Sequence, residues 1–170
     1  MKIRSGFVSN SSSASFIVEI KSDSFQNLCV RLQESLPMFS KENVLNKLNE
    51  KKEYIERFQN EKEKEYSLKE VDRLIQEIND FEELSYSDEV KLSEKERSFY
   101  LYKRKKHQER LVDTLAFAKH WSLYRLDDGY FGINFGGPSI YNDWGEIRMH
   151  KEMMEIVAYC AFMKHEFRTR

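Results

Sequence analysis

The chain has 170 residues with 28 basic and 29 acidic side chains, a formal charge of −1. Its average field therefore draws neither nucleic acid nor a membrane surface, and any such contact needs a local patch. Hydrophobic residues at 40% and aromatic residues at 14%, among them 12 Phe and 9 Tyr, supply the core of a folded chain despite a charged fraction of 34%.

The length fits a single domain over residues 1–170. No stretch approaches the ~18 apolar residues of a membrane span, and the start MKIRSGFVSN lacks the apolar run of a signal peptide, so a cytoplasmic setting is expected. Cys29 and Cys160 lie in apolar helical patterns without a CxxC or Cys/His spacing, which predicts two free thiols in a reducing compartment.

In chain order, residues 14–20 (ASFIVEI) put Phe16, Val18 and Ile20 on one side, the alternation of a strand with an apolar face. Phe25, Leu28, Cys29, Leu32 and Leu36 then repeat at helical spacing until Pro37 stops them. Between Pro37 and Gly129 lie 91 residues without a glycine or proline, and 35 of the 72 residues in 41–112 are charged. That middle region predicts solvated helices, with 41–92 as a projecting helical hairpin or arm. Ser40 can cap the first of them, whose apolar stripe Val44, Leu45, Leu48, Ile55 and Phe58 is thin. Ser67 and Glu70 form a capping box ahead of Val71, Leu74, Ile75, Ile78 and Phe81, which predicts a turn in the charged run 61–66. Ser93 and Glu96 form a second box before a long helix over about 94–120, with 85–92 as the connection. From Trp121 the period becomes two: WSLYRL, then Asp127, Asp128 and Gly129, then YFGINF, a β-hairpin. A last helix is predicted over about 146–167. The fold class expected is α+β: a small antiparallel sheet made of the N-terminal strand and the C-terminal hairpin, packed with helices.

Residues 4–16 carry the most distinctive motif: Arg4, Gly6, Phe7, Val8, Ser9, Asn10, Ser11, Ser12, Ser13, Ser15 and Phe16. This string resembles an N-terminal signature of uncharacterised proteins from tailed bacteriophages, prophages and some bacteria, with Ala14 where a further serine is common. The resemblance covers about a tenth of the chain and implies a phage or mobile-element origin, with the host cell cytoplasm as the setting; it implies no catalytic role. Physically, Ser9, Asn10, Ser11, Ser12, Ser13 and Ser15 offer hydroxyl and amide donors to an anion, and a turn there can form a backbone nest. The run lacks the glycines and the Gly-Lys-Ser/Thr ending of a P-loop. It reads equally as a serine turn bonded to its own backbone and anchored by Phe7 and Phe16.

Downstream, FGGPSIYNDW brings Ser139, Asn142 and Asp143 next to a helix start, where they can line a ligand pocket; Asp143 also fits as the helix N-cap. Lys103, Lys106 and Arg110 belong to the densest basic cluster, with Tyr100 and Tyr102 upstream, a pattern that can grip phosphates and stack bases or simply face solvent. Glu146 and His150 share a helix face but lack further ligands, so no metal is expected; no cofactor motif, Gly-x-Ser-x-Gly elbow or HExxH is present. The sequence therefore points to a non-enzymatic interaction protein that docks on a host or phage protein, as an inhibitor or modulator of a host system, through the helical arm or the aromatic hairpin. The stripe on 44–58 also raises homodimerisation. Two alternatives are a phosphate- or nucleotide-binding enzyme or sensor, which requires residues 9–15 and 136–143 to meet, and nucleic-acid binding through residues 103–110.

Overall fold

A computed structural model describes residues 17–126, 128–135 and 143–169. It is mostly helical with one small four-stranded antiparallel sheet, the expected α+β class. No helix among the described residues is long and apolar enough to cross a membrane. The chain separates into two compact units, one made of residues 1–28 with 119–170 and the other of Cys29–Ala118.

The first unit holds the sheet. Strand β1 (Ile17–Lys21) is central, and β2 (Ser122–Arg125), β3 (Tyr130–Asn134) and β4 (Phe167–Thr169) complete the order β2-β3-β1-β4. Period-two alternation does the sorting: Val18, Ile20, Phe131 and Ile133 are buried, and register pairs Val18 with Ile133 and Ile20 with Phe131. The hairpin closes where Leu126 N–H donates to Tyr130 O at 2.8 Å, with Gly129 at φ 81°, a conformation that favours glycine. Phe25, at the start of helix α1 (Phe25–Ser35), meets Phe131 at 5.7 Å between ring centres, and Trp121 meets Phe135 edge-on at 4.8 Å. Helix α6 (Asp143–Phe162) packs against β1 and buries Ile156 and Cys160.

The predicted final helix of 146–167 is corrected at both ends. It begins at Asp143 and stops at Phe162, and residues 167–169 form β4 against β1. The stop is a Schellman turn: His165 N–H donates to Cys160 O at 2.9 Å and Lys164 N–H to Ala161 O at 3.2 Å, with Lys164 at φ 56°. No glycine or proline marks it.

The second unit is helical. A turn of 3-10 helix at Pro37–Phe39 leads to α2 (Lys41–Phe58), then α3 (Glu61–Asn79), the short α4 (Tyr86–Val90) and α5 (Glu94–Lys119, its last residue in the first unit). Ser40 caps α2 through Asn43 N–H at 3.3 Å, and the Ser93–Glu96 box caps α5 reciprocally. The turn expected over 61–66 lies earlier, at Gln59–Asn60. Asn60 caps α3 by accepting from Glu63 N–H at 3.2 Å, and the run EKEKEY is helical, held by Lys64–Glu61 and Lys69–Glu65 pairs, which leaves Ser67 inside the helix. The 85–92 connection contains α4, capped by Ser85.

Helices α2 and α3 pack together and bury Val44, Leu48 and Ile55 with Val71, Leu74 and Ile78. The apolar stripe that raised homodimerisation is therefore covered within the chain, apart from Phe58. The helical unit also extends beyond 41–92, since it includes α5, which buries Tyr100, Leu111, Val112 and Leu115. Neither Cys29 nor Cys160 is in a disulfide, and both are buried.

Candidate functional site

Three places in the described structure gather chemistry. The first is a groove between the end of α3, residues 80–84 and α5. Phe81 is its centre: its ring stacks on His107 at 4.3 Å and faces Tyr100 at 6.1 Å, residues one α5 face brings together by their spacing of seven. Leu84 N–H donates to the Tyr100 hydroxyl at 3.0 Å, Arg104 pairs with Glu83 at 3.2 Å, and Lys41, from the first turn of α2, donates to Phe81 O at 3.2 Å. These contacts fix the 80–84 segment on α5. Burial, reinforced by the positive charge of Lys41, pushes the His107 imidazole down to about 4, so it is neutral at pH 7.

The open part of the groove encloses about 670 Å³ and contains the basic residues singled out from the sequence. Lys106 pairs with Glu109 at 3.0 Å, Arg110 with Glu77 at 3.3 Å, and Lys103 lies over the Phe99 ring at 4.6 Å. Five carboxylates line the groove, Glu77, Asp80, Glu82, Glu109 and Asp113, against three cations, Lys103, Lys106 and Arg110. Burial and the neighbouring Glu109 raise the Asp113 carboxyl above its ordinary range. A phosphate backbone entering here meets excess negative charge. The sequence displays these cations, and Glu109 stands three residues from Lys106 on the same helix, whereas Glu77, the partner of Arg110, comes from α3, which no local spacing reveals.

The second place is a polar row across the sheet. Register aligns Tyr124, Gly132, Glu19 and Arg168 on four adjacent strands. The Glu19 carboxylate, 1% exposed, accepts from the Tyr124 hydroxyl at 3.1 Å and from the Arg168 guanidinium, which also pairs with Asp128 at 3.0 Å. Next to it, Glu166 accepts from Tyr130 at 2.6 Å and from Lys21 at 2.9 Å, and these two bonds lower its pKa. Every group in this row is engaged, so it ties β2 and β4 to the central strands.

The third is the free end of the α2–α3 hairpin. Tyr54 and Phe58 meet at 5.0 Å between ring centres, tilted by 36°, while 57% and 71% exposed, and Tyr66 on α3 is 77% exposed. Sequence reasoning placed Phe58 in a buried stripe and passed over Tyr54; the usable signal was their spacing of four beside a two-residue connection. The rings of the β-hairpin are spent differently, with Trp121, Phe131 and Phe135 buried and Tyr124 and Tyr130 bonded to carboxylates.

Of the other expected site residues, Ser9, Asn10, Ser11, Ser12, Ser13, Ser15, Ser139 and Asn142 lie outside the described residues, and Asp143 opens α6 with its side chain outside them. The side chains of Glu146 and His150 also lie outside them. Among the described residues no three His, Cys, Asp or Glu side chains are grouped to hold a metal ion. Comparison of the chain with protein-family models, with curated proteins and with solved structures found no match.

Proposed function

We propose that this chain is a non-enzymatic interaction protein that docks on a protein partner through its helical unit, with the Tyr54–Phe58 end of the α2–α3 hairpin as the anchor. The observation that carries the reading is that pair of rings, in contact at 5.0 Å between centres and mostly exposed at the end of a capped helical hairpin. Aromatic side chains contribute a disproportionate share of interface energy, because each buries a large area while fixing few rotatable bonds. Here the contact between the two rings restricts both before any partner arrives, which lowers the ordering cost of association. The hairpin is well suited to present them, since its inner face is packed by Ile55, Val71 and Leu74 and its flanks are solvated by paired charges such as Lys52–Asp72 at 2.7 Å. The resemblance of residues 4–16 to phage and prophage proteins supports a host or phage protein as the partner, and modulation of a host system as the purpose.

The test is affinity capture from bacterial lysate with three full-length proteins: the unaltered chain, a Tyr54→Ala/Phe58→Ala variant, and Phe162→Ala, which removes an exposed ring from the sheet unit. The expected result is one stoichiometric protein recovered with the unaltered chain and Phe162→Ala and lost with the double variant, whose helix content is checked by circular dichroism. Equal recovery with the folded double variant removes the hairpin end as the anchor.

A further inference from the structure

Beneath Phe81 and His107 lies a recess of about 70 Å³ between the first turn of α2 and α5. At ~30 Å³ per water molecule it has room for about two waters or one tetrahedral oxyanion. We infer that this recess is a binding site for an oxyanion of phosphate size, held by Lys41 and Arg104.

The donors come from two helices. The Lys41 ammonium bonds Phe81 O and has no carboxylate within ion-pair distance among the described residues. Arg104 pairs one Nη with Glu83, whose side chain is 67% exposed, while its own Nε–H is buried without a partner. A buried N–H that finds no acceptor is rare and marks a position where a further acceptor belongs. The third side, His107, carries no charge at neutral pH, and Gln108 uses its amide N–H groups on Gln33 at 3.1 Å and Glu34 at 3.4 Å. Two cations and one carboxylate therefore line the recess, and the carboxylate is the exposed one. Water can accept from both donors but leaves the Lys41 charge uncompensated. An oxyanion of this size brings several acceptor oxygens together with negative charge, so it meets both requirements, and a guanidinium offers it charge-assisted hydrogen bonds of fixed geometry. The recess shares no lining residue with the Tyr54–Phe58 end of the hairpin.

The probe is inorganic phosphate, titrated by calorimetry into the full chain at constant ionic strength, with chloride as the matched control. The expected result is saturable binding at one site that weakens about tenfold or more in both Arg104→Gln and Lys41→Gln. Lys105→Gln, an exposed neighbour on α5, removes the same charge and leaves the affinity unchanged. Because Arg104→Gln also releases Glu83, a second readout uses the unaltered protein: the Arg104 Nε–H resonance shifts with phosphate and not with chloride. Absence of saturable binding, equal affinity in the folded variants, or an equal response to chloride overturns the assignment.

Discussion

A tyrosine hydroxyl that reaches across a neighbouring strand needs a gap beneath its ring, and Gly132 supplies it. A methyl group at that position overlaps the Tyr124 ring, which Glu19 holds in place at 3.1 Å. Gly132→Ala therefore shifts the ring and breaks the bond to a buried carboxylate, a loss of about 1–3 kcal/mol. Thermal unfolding reads this as a fall of roughly 2–4 °C per kcal/mol for a chain of this length. In a Tyr124→Ala background the same substitution costs little, and additive effects in that double-mutant cycle would disprove the coupling. His107 supports a second prediction at this scale. Its folded pKa of about 4 lies below the unfolded 6.5, so between those values the unfolded chain binds more protons and stability falls as pH falls. Because the ring is only half-buried, the linkage is discounted to about 1 kcal/mol between pH 7 and pH 5. Chemical denaturation at the two pH values should show that loss, and His107→Gln should remove it.

At the scale of elements, the helix ends decide what could be read from sequence. Strand β1, helix α1, the α5 capping box and the β-hairpin follow from periodicity and cap chemistry that a chain displays locally. The end of α6 does not, because its left-handed position is occupied by Lys164 at φ 56°, and His120 at φ 58° ends α5 in the same way. Sequence signals for such stops are glycine or proline, and neither is present. The α2–α3 connection was obscured for a related reason: Ser67 and Glu70 have the spacing of a capping box, but Asn60 reaches the free N–H groups first, where the acidic residues Glu61 and Glu63 also favour the helix start. The site was legible only by halves. Lys103, Lys106 and Arg110 are visible in the sequence, as is Glu109 three residues after Lys106, whereas the Glu77 carboxylate that meets Arg110 and the Phe81–His107 stack arise from tertiary packing. The Schellman turn gives a direct test. An L-residue in the left-handed region is strained relative to glycine, so Lys164→Gly should stabilise the protein by about 0.5–1 kcal/mol. A lower thermal midpoint for that variant would show that the lysine side chain contributes something the backbone does not.

For the whole molecule the distribution of exposed apolar side chains is the informative quantity. Of the 12 large hydrophobic residues exposed among the described residues, nine belong to the helical unit and three to the sheet unit. Scattered exposed apolar residues are ordinary, so the distribution matters only if the rings in question do nothing for the fold. That condition can be measured. Phe39 is fully buried in the helical unit, and truncating a buried Phe to alanine removes transfer energy and leaves a cavity, about 3–5 kcal/mol in all. Tyr54 and Phe58 are mostly exposed and touch each other on one helix face, an i,i+4 contact of about 0.2–0.5 kcal/mol. The expected outcome of parallel denaturant titrations is a large shift of the midpoint for Phe39→Ala and almost none for Tyr54→Ala/Phe58→Ala. If the double variant instead loses more than about 1 kcal/mol, a magnitude beyond ordinary surface substitutions, the rings serve the stability of the hairpin and the argument for a docking anchor loses its premise. If the shift is negligible, the rings do not serve the fold, and the premise of the proposed docking anchor stands.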